Sequence, residues 1–123
     1  MILSVDPSRA LPVYEQVREQ IRRMVAAGTL QPGTRLPTIR QLAADLGLAK
    51  GTIERAYELL ESDAVIEPHG RNGTFVAAVT PSTKQEITRG LETAAESLVI
   101  VARQLGADEE AVARALRTVW QRL

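Results

Sequence analysis

Residues 42–57 read LAADLGLAKGTIERAY, and their spacing decides the fold. Gly47 stands where a chain turning between two helices needs a positive φ, which glycine adopts without strain. Ala43, four positions earlier, is small enough for two helices to cross closely, and Ile53, six positions later, faces inward from the second helix. Leu42, Leu46, Leu48, Ala56 and Tyr57 complete a buried face, so the stretch predicts a helix-turn-helix. It also gathers Gly47, Lys50, Gly51 and Thr52, the ingredients of a nucleotide phosphate loop. Such a loop needs glycine followed by lysine and then serine or threonine, after a strand. Here lysine precedes glycine and a helix precedes the turn, so the residues suit a nucleic-acid backbone instead.

Working outward, Val13, Val17, Ile21 and Met24/Val25 recur at helical spacing over 13–27, with Pro12 suited to the first turn and Gly28 to the stop. LQPGTRLP (30–37) reads as a loop. A short helix over 38–46 and a third over 50–62 follow, the first of them with Ile39, Leu42, Ala43 and Leu46 on one face. The period then changes. AVIEPHGRNGTFVAAV (64–79) has β-branched residues on both sides of Gly70-Arg71-Asn72-Gly73, a hairpin signal. Asn72-Gly73 is expected to take the positive φ values of a tight turn, and Pro68 to confine the first strand to a short or edge position. The fold class is therefore mainly α with a small β-hairpin: a winged helix-turn-helix over 1–79 and a helical tail over 80–123.

TPST (80–83) reads as a hinge or cap between the two. The tail carries two heptad-like seams, Ile87, Leu91, Ala94, Leu98, Val101 and Leu105, then Val112, Leu116, Val119 and Leu123. Gly106 separates them and Asp108 caps the second. Two lone helices cannot bury both seams well, so a second copy of the chain is expected to cover them, with Trp120 filling the same interface.

Composition narrows the chemistry. The 123 residues fit one domain, or one small domain with an extension. Without cysteine there is no disulfide, thiol nucleophile or thiolate metal site, and the single histidine, His69, excludes a multi-histidine metal site. No region assembles a nucleophile, a base and oxyanion donors, so neither an enzyme nor a cofactor is expected. MILSVDPSRA (1–10) does not read as a signal peptide, and no apolar run approaches the roughly 18 residues of a membrane span, which favours the cytoplasm. Net charge is zero, with nine basic and nine acidic residues in 1–79 and six of each in 80–123. Bulk charge thus gives nucleic-acid binding no support, and the position of each arginine must carry it.

The face of helix 50–62 opposite its buried stripe presents Lys50, Gly51, Glu54, Arg55 and Glu58, with Thr52 near the helix start. A recognition helix brings its N-terminal residues to base edges in the major groove. Gly51 permits close backbone approach. Thr52 and the first free amides suit phosphate, Lys50 a phosphate or a guanine, Arg55 a phosphate, and Glu54 either a cytosine amine or a neighbouring cation.

Residues 36–76, LPTIRQLAADLGLAKGTIERAYELLESDAVIEPHGRNGTFV, resemble the winged-helix DNA-binding domain of GntR-family bacterial transcription regulators. The shared pattern is leucine-proline, an arginine shortly after it, leucine-alanine, leucine-glycine, a threonine on the recognition helix and a glycine-rich wing closing in threonine-phenylalanine-valine. The preceding residues 11–37 extend the match. The short tail and the RAY at 55–57 look like the YtrA subfamily, whose members carry two C-terminal helices. The resemblance implies a DNA phosphate or base contact for Arg40, recognition-helix contacts for Lys50 and Thr52, and minor-groove entry for a wing tip formed by Gly70, Arg71 and Gly73. With the tail seams covered by a second copy, the expected function is a homodimeric repressor on an inverted-repeat operator.

Two positions depart from the family pattern. Ala49 replaces the usual capping side chain, and Lys50 lacks arginine's planar fork. Arg35 is balanced between a phosphate contact and a loop charge, and Arg40 has a competing role pairing with Asp45 or Glu61. His69 reads as a wing-surface residue. The zero net charge keeps open a protein-interaction winged helix that does not bind DNA. The tail leaves little room to enclose an effector within one subunit, which leaves open a small-molecule effector bound between subunits or a reorientation of the winged helices about the 80–83 hinge. The sequence names none.

Overall fold

The computed structural model describes residues 1–79 and 82–123. The chain divides into two compact units, Met1–Val79 and Thr80–Leu123. The hinge expected at 80–83 falls partly outside the described residues; of that stretch, Thr83 caps the helix that follows by accepting from the Glu86 amide at 3.1 Å.

The first unit contains α1 (Val13–Ala26), α2 (Ile39–Leu46), α3 (Lys50–Ser62), β1 (Ile66–Pro68) and β2 (Thr74–Val76). The expected core faces pack as one cluster. Val17 and Ile21 of α1, Leu42 and Ala43 of α2, and Ile53, Ala56, Tyr57 and Leu60 of α3 are buried with Ile66 and Val76 of the strands. Gly47 turns α2 into α3 at φ 65°, as the spacing requires. α2 begins with a full capping box: Thr38 Oγ1 accepts from the Gln41 amide and Gln41 Oε1 accepts from the Thr38 amide, at 3.1 and 3.0 Å. α3 has no counterpart, because Ala49 at its N-cap offers no side-chain acceptor.

One buried polar residue escapes the helical pattern. Gln16 is 2% exposed, and its amide stitches the N-terminal arm to α1. Its Oε1 accepts from the Asp6 amide while its Nε2 donates to the carbonyls of Asp6 and Leu11, each at 2.8 Å. These bonds satisfy the amide that burial would otherwise penalise.

The wing corrects the expected turn. β1 and β2 pair antiparallel with Ile66 opposite Val76 and Pro68 opposite Thr74, so five residues (69–73) close the hairpin. Gly70–Asn72 forms a single 3-10 turn. The positive φ values fall at Gly70 (59°) and Gly73 (106°), not at Asn72. The His69 amide donates to the Gly73 carbonyl at 2.7 Å and the Asn72 amide to the His69 carbonyl at 3.1 Å, which closes a wider loop than a two-residue turn. The loop at 30–37 also does more than connect. Leu36 N–H donates to Thr74 O and Val76 N–H to Thr34 O, both at 2.8 Å, so this segment lines the free edge of β2.

The second unit comprises α4 (Lys84–Gln104) and α5 (Glu109–Arg122). Gly106, at φ 72°, breaks them, and Asp108 caps α5 by accepting from the Ala111 amide at 2.9 Å. Among its described residues only Ala102 is buried. Leu98 and Val112 are half-buried, while Ile87, Leu91, Val101, Leu105, Leu116, Val119 and Trp120 are exposed, Trp120 to 86%.

Candidate nucleic-acid interface

α3 packs into the first unit with its buried stripe inward, which leaves Lys50, Gly51, Glu54, Arg55 and Glu58 exposed and Thr52 half-buried. The missing cap on Ala49 has a chemical consequence. The Thr52 amide turns back to Ala49 O at 3.1 Å, but the amides of Lys50 and Gly51 have no side-chain acceptor at this helix start. N–H groups free at a helix N-terminus suit an anionic oxygen, and a methylene is all that Gly51 places before them. The fully capped α2 offers no such amides at Thr38 or Gln41.

Arg40 is exposed on α2 and makes no ion pair with Asp45 or Glu61. The same holds for Arg35, Lys50, Arg55 and Arg71 among the described residues. Arg18 and Arg22 differ. Arg18 is fixed between Glu15 at 2.9 Å and Asp63 at 2.6 Å, tying α1 to the end of α3, and Arg22 pairs with Glu19 at 3.4 Å.

Arg35 is the loop residue whose place only the three-dimensional structure reveals. It forms a β-bridge with Phe75 of the wing, and its guanidinium lies against Gly73. Arg35, Gly70, Arg71 and Gly73 are thereby brought into one feature, the root and tip of the wing. His69 also belongs to it, its ring stacked on Phe75 at 4.8 Å between centroids and 3.2 Å from Glu67 Oε1.

Two residues outside the expected contact set stand beside it. Gln41 completes the cap of α2. Tyr14, at the start of α1, lies under Arg55, with the guanidinium carbon 4.5 Å from the ring centroid. No local pattern could have signalled that pairing, because it joins two helices distant in sequence. The exposed tail residues, Ile87, Leu91, Val101, Leu105, Leu116, Val119 and Trp120, belong to the second unit.

Residues 13–76 match the sequence profile of bacterial regulatory proteins of the gntR family. The HTH-type transcriptional regulator Rv1152 of Mycobacterium tuberculosis is 45% identical over 104 residues, spanning 85% of this chain and 82% of that protein. The HTH-type transcriptional repressor YtrA of Bacillus subtilis is 31% identical over 69% of this chain and 65% of its own length. Among solved structures, a transcriptional antiterminator from Listeria monocytogenes aligns with a TM-score of 0.78 at 26% identity, covering 97% of this chain and 90% of that one. AraR(DBD), solved in complex with operator ORX1, aligns with a TM-score of 0.56 at 32% identity over 63% of this chain and 99% of its own.

Proposed function

The chain belongs to the gntR family of bacterial regulatory proteins, DNA-binding transcription regulators of YtrA-like build and not enzymes, and from that premise we propose that it is a homodimeric repressor. Each subunit sets α3 in the major groove of an inverted-repeat operator and the 68–74 wing in the adjacent minor groove. Residues 1–79 are the DNA-binding domain and 80–123 the dimerisation tail. Repression follows from occupying the promoter against polymerase, in the cytoplasm where the DNA lies.

The observation that carries the reading is the set of exposed cations, Arg35, Arg40, Lys50, Arg55 and Arg71, on the loop before α2, on α2 and α3 and on the wing, none of them in an ion pair among the described residues. Exposed and grouped on the helix-turn-helix, the loop before it and the wing, these cations suit phosphate and base edges. Lys50, Gly51 and Thr52 supply the helix-start contacts, Glu54 reads a cytosine amine, and Arg71 enters a narrow, negative minor groove between Gly70 and Gly73. The homology to AraR(DBD), which binds an operator, supports the DNA partner, and the name of the Bacillus relative supports repression. The apolar residues exposed on α4 and α5 support the dimer, and an effector would act between its two subunits.

The test is a binding titration of the full chain over a salt series, on duplexes enriched from a random pool by the protein itself. Specific binding whose log K falls steeply with log salt, and which Arg40→Ala and Lys50→Ala each weaken at unchanged melting temperature, is expected. No enriched sequence, or binding indifferent to salt, would sink the regulator reading in favour of a protein-interaction module.

A further inference from the structure

Tyr14 opens α1 half-buried, and its ring faces the guanidinium of Arg55 at 4.5 Å. The Arg55 guanidinium lies over the face of the Tyr14 ring, so the ring itself is what Arg55 meets. We propose that Tyr14 is a positioning residue for DNA: it holds the Arg55 guanidinium on the α1 flank of α3, with its N–H edge turned to a backbone phosphate. The inference rests on the DNA-binding reading above and assigns a role within it to a residue of α1.

Two arginines lie near the start of α1, and the structure treats them differently. Arg18, one turn after Tyr14, is neutralised by Glu15 and Asp63. Arg55 has Glu54 and Glu58 beside it on α3, yet pairs with neither and rests on an aromatic face instead. A carboxylate would occupy the guanidinium's donors. A ring binds its flat face and leaves the in-plane N–H groups free for a bidentate phosphate contact. Arginine loses much rotamer freedom when fixed on a ligand, and a side chain already stacked in the free protein has less to lose. The platform therefore strengthens binding without touching DNA.

Anisotropy titrations of the full chain on a self-selected duplex, across a salt series, test this. Arg55→Ala should weaken binding about tenfold or more. It should also lower the magnitude of the log K against log salt slope by about 0.9. Tyr14→Leu should weaken binding about two- to fivefold, while Tyr14→Phe, which keeps the ring, stays at the parental value. In the Arg55→Ala background Tyr14→Leu should change nothing further. An undiminished effect there, or Tyr14→Phe behaving like Tyr14→Leu, overturns the platform. Normal binding by Arg55→Ala beside weakened binding by Lys50→Ala also overturns it but leaves the regulator reading standing, whereas a parent chain that selects no duplex removes both. Because Tyr14 also packs on the core, Arg55→Lys asks the same question with Tyr14 in place. It keeps the charge but loses both the planar face over the ring and the bidentate fork, so a loss at least as large as that of Tyr14→Leu is expected and parental binding would count against the proposal.

Discussion

A β-carbon built on Gly73 would stand 2.7 Å from Nε of Arg35 and 3.3 Å from its Cζ. The loop before α2 and the tip of the wing therefore form one surface, and the glycine is what lets them meet. Gly73 also sits at φ 106°, ψ −165°, a region that essentially only glycine visits. Gly73→Ala should destabilise the first unit by about 1–3 kcal/mol and push Arg35 off the wing. Gly70 is the control. At φ 59°, a β-carbon there would meet nothing within 4 Å, and asparagine tolerates that left-handed conformation. Gly70→Asn should thus leave the melting temperature of the first unit nearly unchanged where Gly73→Asn lowers it. Equal behaviour of the two asparagine variants in thermal melts would refute the distinction.

Ala64 shows the opposite case, a left-handed residue with a side chain. It follows α3 at φ 59°, where the Val65 amide closes on Leu60 O at 2.9 Å. An L-residue in this conformation costs roughly 1–2 kcal/mol, partly offset by the greater freedom a glycine would have in the unfolded chain. Ala64→Gly should therefore stabilise the protein by about 0.5–1 kcal/mol, or a few degrees in melting temperature, without altering DNA affinity. A lower melting temperature would show that the strain is relieved elsewhere.

Tyr57 ties α3 to the entry of α2, its hydroxyl donating to the Pro37 carbonyl at 2.7 Å. Burial pushes its ionisation up to about 12 from the ordinary value of 10.0. A phenol whose folded value is raised keeps its full contribution to stability below the unfolded value and loses it as pH rises through the folded one. The parent should thus lose stability between about pH 10 and 12 from this source. Tyr57→Phe should be less stable near neutrality by about 1 kcal/mol and show a shallower alkaline decline. Denaturant unfolding at neutral and alkaline pH measures both, and identical slopes would exclude Tyr57 as the titrating group.

What could be read in advance follows from the range of the interactions. The helices, the Gly47 turn, the buried face of α3 and the Asp108 cap are written in periodicity and in neighbouring residues, and each stands where expected. The burial of Gln16 left no local mark, because its partners lie in the N-terminal arm. The pairing of 33–36 with β2 was hidden in a proline- and glycine-rich loop whose extended partner comes some forty residues later in the chain. The wing turn differs from its local sequence signal for a related reason. Asn-Gly favours a two-residue turn locally, but the register of β1 on β2 demands a five-residue loop, and two glycines rather than Asn72 supply its positive φ values. The platform under Arg55 is a contact between helices that no spacing rule reports.

The tail offers the sharpest test of the dimer. Leu98 lies on the expected seam but is already half-buried in the single chain, so a charge there would disturb the subunit as well as any partner. Leu91 is 66% exposed on the same seam, and a glutamate there harms the isolated subunit little. In an apolar interface between two copies, the same carboxylate would be stripped of water without a partner. Leu91→Glu should therefore raise the dimer dissociation constant by about a hundredfold or more while the helix content and melting of the monomer persist. Because the dimer joins two half-sites, affinity for the full operator should fall by about a hundredfold or more, while affinity for a single half-site stays near that of one parental subunit. Light scattering and titration on paired and single half-sites separate these effects. A variant that keeps the dimer mass and full-operator affinity would mean that another face joins the subunits.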